Sequence, residues 1–168
     1  MSSGSMRERR AVGGVMTGII AWVDEHLAGD DLDRALVERV VALALEGEGF
    51  GPAELAVRIV DDATCLELHG QHFSDPSITD VMTFPDGETN PETGARRLGD
   101  LAVCIGTARR EAAARNRPVA HELVLYVLHG LLHILGHDDV DDTDRATMWG
   151  EQVRILAAVG IAIEPEPS

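Results

Sequence analysis

The chain contains no lysine. All 14 of its basic residues are arginine, set against 29 acidic residues for a formal charge of −15. A surface that acidic excludes nucleic-acid binding through average charge, so any such contact must be local. Aromatic residues make up only 4% of the chain. The core must therefore be mostly Ala, Val, Leu and Ile around a few anchors such as Trp22, Phe84, Tyr126 and Trp149. Cysteine is restricted to Cys65 and Cys104, far apart and without a C-x-x-C, which excludes a disulfide framework and predicts reduced thiols. Long apolar runs are missing too. The stretch from Ala11 to Val23 follows Arg7, Arg9 and Arg10 as the apolar part of a signal peptide would, but three glycines and a threonine dilute it. No small-x-small cleavage site precedes Asp24 and Glu25, and the run is too short to span a bilayer. We expect a cytoplasmic protein with no membrane partner. Internal repeats, phosphate-binding glycine loops and Gly-x-Ser-x-Gly are also lacking.

At 168 residues and 45% hydrophobic, the chain suits one domain over 1–168, with 1–10 as a loosely held extension. Periodicity predicts a strand over Met16 to Val23, a helix over Leu32 to Leu45 capped by Asp31, and a strand over Ala53 to Val60. In that last strand Leu55, Val57 and Ile59 share one face, with Arg58 on the other. A short helix over Ala63 to His72 follows, then strands over Asp80 to Phe84 and Leu98 to Ile105, separated by a surface loop. Three helices complete the chain: Thr107 to Asn116, Val119 to Leu135 and Asp144 to Val159. The second is apolar on nearly every side and must lie in the middle of the domain. In the third, Met148, Val153, Ile155 and Leu156 are predicted to face inward.

That buried helix carries the chemistry. The run from His129 to Asp139 reads HGLLHILGHDD, with His129 and His133 four residues apart on one helix face, the spacing at which two imidazoles reach one ion. Gly136 can adopt a left-handed conformation, stop the helix and turn the chain back over the pair, so that Asp139 or His137 supplies a third ligand. A zinc protease would need a glutamate immediately after the first histidine as general base, and Gly130 occupies that position. What remains is a metal with an open coordination position. A second feature is local positive charge. Arg96, Arg97, Arg109, Arg110, Arg115 and Arg117 are opposed only by Asp100 and Glu111, making 96–117 a segment of +4 within an acidic chain, and arginine grips phosphate in a planar fork.

The histidine motif resembles that of the YbeY family of bacterial rRNA maturation endoribonucleases, His-Gly-x-Leu-His-Leu-x-Gly-Tyr-Asp-His. The similarity extends to Arg58-Ile59-Val60-Asp61-Asp62, to Thr79-Asp80-Val81-Met82-Thr83-Phe84-Pro85, to Leu98-Gly99-Asp100-Leu101 and to the closing helix from Met148 to Leu156, in the family's order. The resemblance implies an α+β fold in which a small mixed sheet packs with about five helices, a central ligand-bearing helix and a zincin-like site holding one Zn²⁺ or another divalent transition metal. It further implies cleavage of single-stranded RNA in maturation of the small-subunit rRNA 3′ end and in ribosome quality control, with ribosomal proteins or ribosome-associated factors as partners. By position, the ligands are His129, His133 and residue 139, and Arg58 is the phosphate-side arginine. Two departures stand out: Asp139 replaces the family's last histidine and His137 its tyrosine. Asp139 keeps the expected position and is a competent zinc ligand, so it is preferred to His137. Asp138 matches the family's aspartate and is expected to partner a ligand or accept a proton.

We therefore expect a metal-dependent endoribonuclease, with RNA approaching along the six arginines. The acidic charge also suits a non-catalytic ribosome-assembly factor in which metal only staples the fold. A metallohydrolase of peptide or small-molecule bonds is a third possibility, disfavoured by Gly130.

Overall fold

A computed structural model describes residues 6–10, 16–49, 51–73, 80–138 and 140–164. Among these, the chain order is β1 (Met6–Arg10), β2 (Met16–Val23), a kinked 3-10 segment (Glu25–Asp31), α1 (Arg34–Gly47), β3 (Ala53–Val60), α2 (Asp62–Phe73), β4 (Val81–Pro85), β5 (Arg96–Cys104), α3 (Ile105–Arg115), α4 (Val119–Ile134) and α5 (Asp142–Ala158). The strands form one mixed sheet in the order β1-β2-β3-β5-β4, parallel across β2-β3-β5 and antiparallel at both edges. The architecture is the expected small mixed sheet packed with helices.

The alternation of β3 sets the layers. Leu55, Val57 and Ile59 are buried with Leu101 and Val103 of β5 beneath α1 and α4, in the main core. α4 contributes Leu123, Val124, Leu128, Leu131 and Leu132 to that core. Each such side chain stabilises the fold by about 1.5–3 kcal/mol, which fixes the helix that carries the histidines. Gly130 lets α4 come close to the sheet. A Cβ there would lie 2.8 Å from Leu101 Cδ2 and 3.2 Å from Val81 Cγ2.

The other sheet face is only partly covered. There α2 packs Cys65 against Val60, Met82, Ala102 and Cys104, while Arg58 in the same row stays exposed. α2 is preceded by Asp61, whose carboxylate accepts the Thr64 N–H at 2.9 Å, a bond that holds its pKa below the ordinary aspartate value.

Several expectations are corrected. The cap of α1 is Asp33, which accepts the Leu36 N–H at 3.1 Å, because the 3-10 segment takes up Asp31. Met6–Arg10, read as part of a loose extension, pairs with β2. Cys65 and Cys104 are not separate thiols: α2 and the end of β5 bring their Cα atoms to 6.1 Å, and the two are joined in a disulfide. Spacing of 39 residues in sequence cannot reveal that meeting. On α5 the buried polar residue is Gln152, whereas Val153 is only half-buried. The 74–79 segment, including the family-like Thr79, lies outside the described residues.

The Leu-Gly-Asp sequence of β5 now has a physical basis. Gly99 has φ 145°, and a Cβ on it would lie 2.9 Å from Pro85 Cα and closer still to the Phe84 carbonyl oxygen of the paired edge strand. Backbone cannot retreat as a side-chain tip can. Gly99→Ala should therefore destabilise the chain by about 3 kcal/mol, strain and overlap together, as read by denaturant unfolding. An unchanged midpoint would contradict this packing.

Candidate metal centre

α4 runs to Ile134, one residue short of the expected Leu135, and ends in a closed turn. Gly136 takes φ 105°, its N–H donates to the His133 carbonyl at 3.1 Å, and the His137 N–H donates to the Leu132 carbonyl at 2.9 Å. This is the paired bonding that a left-handed glycine makes possible at a helix end. One turn back, His129 and His133 stand edge to face with ring centroids 4.7 Å apart and their Nε2 atoms 3.2 Å apart. Two nitrogens each bound at 2.0–2.1 Å to a tetrahedral ion would be separated by roughly 3.3 Å. The pair thus fits one edge of a zinc coordination sphere without rearrangement.

The outer nitrogen of His129 is also fixed. Its Nδ1 lies 2.6 Å from Oε1 of Gln152, a residue of α5 that is fully buried. Since the amide oxygen can only accept, Nδ1 carries the proton and the Nε2 lone pair points to His133, the tautomer a metal requires. Sequence reasoning missed Gln152, although a signal existed. It is a polar residue in the buried stripe Met148, Gln152, Ile155, Leu156.

The third position is less complete. Asp139 lies outside the described residues. His137 points its Nε2 to Glu48 Oε2 at 3.0 Å, just past the end of α1, and so is engaged by that carboxylate. Asp138 accepts the Val140 N–H at 3.1 Å, folding the loop upon itself in an Asx turn. Among the described residues no group of three His, Cys, Asp or Glu side chains is arranged to hold a metal.

The remaining predicted residues disperse. Arg58 projects from the sheet face opposite α4 and pairs with Asp24 at 3.4 Å, in a groove with Phe84 and Asp100. Burial, and then the neighbouring Asp86, push the Asp100 carboxyl above its ordinary value. Arg97 lies beside Glu54 at 3.7 Å near that same face, and Arg96 begins β5 beside it. Arg109 ties α3 to the 3-10 segment through Asp31 (3.0 Å) and the Leu27 carbonyl (3.3 Å), while Arg110 forks onto Asp62 of α2. Among the described residues, Arg115 and Arg117 share a cavity with His129. Consecutive arginines on a strand and a helix do not make one path.

That cavity, of about 650 Å³, opens beside His129 between α3, α4, α5 and the segment 161–164. Its wall includes Tyr126, whose hydroxyl donates to Glu122 Oε1 at 3.3 Å. Burial, reinforced by the adjacent Glu122 charge, pushes the Tyr126 pKa well up and keeps the hydroxyl protonated.

Comparison with known proteins identifies the family. The family model for Endoribonuclease YbeY matches residues 24–160. Among relatives called Endoribonuclease YbeY, the chain is 36% identical over 154 residues to that of Dinoroseobacter shibae, covering 82% of this chain and 85% of the relative. It is 33% identical over 147 residues to that of Macrococcus caseolyticus, covering 84% and 96%. With the Rhodococcus opacus relative the identity is 39% over 111 residues, and the match spans 62% of each chain. A solution structure of a Thermotoga maritima protein shares the fold at a TM-score of 0.59 and 24% identity, over 83% of this chain and 88% of that one. With the match covering most of the chain, including the histidine helix and the strands beneath it, this protein belongs to the YbeY family.

Proposed function

We propose that the chain is a metal-dependent endoribonuclease acting on single-stranded RNA, with small-subunit rRNA as its substrate in 3′-end maturation and ribosome quality control. The observation that carries this reading is the pair of Nε2 atoms 3.2 Å apart, one of them locked in the metal-binding tautomer by Gln152. Zn²⁺, one per chain, is the ion that best suits two imidazoles and a carboxylate. His129, His133 and Asp139 are its proposed ligands, since His137 is engaged by Glu48. When bound, the ion supplies Lewis acidity to the scissile phosphodiester and acidifies water. The chain's own residues orient and shield. Gln152 aims His129, Gly130 leaves no helix-borne base, and Asp138 is the carboxylate nearest in sequence that can accept a proton. Arg115 and Arg117, which line the cavity beside His129, are the proposed contacts for an RNA phosphate. Arg58 enters this reading as a contact for RNA crossing the opposite sheet face, with its side chain directed away from the histidines.

An anionic third ligand also has a consequence. It lowers the charge of the site by one unit, so bound water should be less acidic than with three neutral imidazoles. Ribosomal proteins and cytoplasmic placement belong to the same proposal. Among the described residues no helix is long and apolar enough to cross a membrane.

A second reading, a metal-stapled assembly factor without catalysis, is favoured by the charge of −15 and by the acidic partners of five of the six arginines. Incubating the zinc-loaded chain with a single-stranded RNA and with its duplex separates the two. Cleavage of the single strand, lost by at least about 100-fold with chelator or with His133→Ala, supports the nuclease. Intact RNA after prolonged incubation supports the assembly factor. The positioning of His129 is testable without catalysis. Gln152→Leu should weaken zinc binding roughly 10–100-fold in a competition titration, whereas Gln152→Glu, which can also only accept from Nδ1, should retain it. Equal losses in both variants would contradict the assigned tautomer.

A further inference from the structure

α2 is attached to the body of the protein differently from its fellow helices. Among the described residues α1, α3, α4 and α5 each bury three or more side chains, whereas α2 buries Cys65 alone. Its Leu68 is half-buried and its Leu66 is exposed. The cluster that receives Cys65 is small, made of Val60, Met82, Ala102 and Cys104. A helix seated by one side chain would ordinarily lift away with ease, since few buried apolar contacts are what mark a segment for local opening. Here that one side chain is bonded covalently to Cys104.

The two ends of the bridge are unequal. Cys104 closes β5 and is fixed there: it pairs with Val60 of β3, and its N–H donates to the Asp80 carbonyl at 2.9 Å. Cys65 rides on α2, whose first turn is held by the Asp61 cap and by the fork of Arg110 on Asp62 at 2.9 and 3.2 Å. Those contacts are solvent-exposed, where ion pairs and their hydrogen bonds are weak. Beyond Cys65 the helix continues to Phe73, and Leu68 lines a groove of about 540 Å³ with Phe84, Ala102 and Arg58. α2 is thus hinged near Asp62 and fastened at Cys65, and a release would free the groove wall. Both sulfurs are wholly buried, so a reductant meets them only as α2 lifts.

We propose that the Cys65–Cys104 bridge is a reversible redox latch that fastens α2 to the sheet and, when reduced, releases it to open the Arg58 groove. The reductant is a dithiol. One of its thiols, as the thiolate, attacks a sulfur of the bridge; the bond between the cysteines breaks, and the departing cysteine takes up a proton. The second thiol of the reductant then displaces the mixed disulfide. Two electrons and two protons have passed to the protein, both cysteines are thiols, and the reductant has become its own disulfide. Oxidised glutathione runs the exchange in reverse. The cluster around Cys65 shares no residue with the main core, so the fold around α4 persists while α2 opens.

The chain has two cysteines in all, so a count of free thiols gives either none or two. The full chain is treated with oxidised glutathione, then with dithiothreitol, then with oxidised glutathione again. Alkylation and mass spectrometry count the thiols at each stage, while hydrogen exchange follows the helices. We expect none, two and none. Amides of α2 beyond Cys65 should exchange at least about tenfold faster in the reduced protein, with those of α4 changed by less than about twofold. In Cys65→Ala, α2 should exchange fast at every stage. Thiols that oxidised glutathione leaves unpaired would overturn the proposal, as would equal α2 exchange in both states. So would a loss of α4 protection on reduction, which would make the bridge a staple of the whole fold, or a response to dithiothreitol that persists in Cys65→Ala. The wild-type series decides even if that variant does not fold. No readout uses RNA or the histidine pair, so the latch and the nuclease reading stand or fall separately.

Discussion

The site depends on one contact, the 2.6 Å hydrogen bond between Gln152 Oε1 and His129 Nδ1. Without it His129 could present either nitrogen, and the ring could turn. With it, the Nε2 lone pair is committed to the space shared with His133, before any ion arrives. The bond is only possible because α4 and α5 are both anchored in the core. Met148, Ile155 and Leu156 of α5 share that core with Leu128, Leu131 and Leu132 of α4, so neither partner can drift. Preorganisation here is a product of packing.

Gly130 links fold and chemistry in a second way. Its missing side chain admits Leu101 and Val81 against the helix, so the sheet edge passes directly behind the histidines. A glutamate at that position, as a protease would require, could not be accommodated at the same helix-to-sheet distance. The absence of a helix-borne base and the close packing of α4 on the sheet have one cause.

Much of this was legible in the sequence, because the signals are local. The four-residue histidine spacing, the glycine stop at Gly136 and the all-round apolarity of α4 are read within one or two turns of helix. The same holds for β3, where alternation already placed Arg58 away from the apolar row. The resemblance gave Arg58 a phosphate role, and the structure sets it on the face opposite the histidines. What could not be read is long-range. Cys65 and Cys104 meet only when α2 folds onto β5, and Gln152 finds His129 across 23 residues. The six arginines crowd 22 positions of sequence but spread over both sheet faces, because a strand and a helix point consecutive side chains in divergent directions.

The central claim is that His129 and His133 bind one metal through Nε2, completed by an oxygen ligand from the loop after Gly136. A crystal structure of the zinc-loaded chain tests it most directly. We predict coordination by His129 Nε2, His133 Nε2 and the Asp139 carboxylate at about 2.0–2.2 Å, with His137 still on Glu48. Zinc bound by His137 in place of Asp139, or bound away from the histidine pair, would contradict the account.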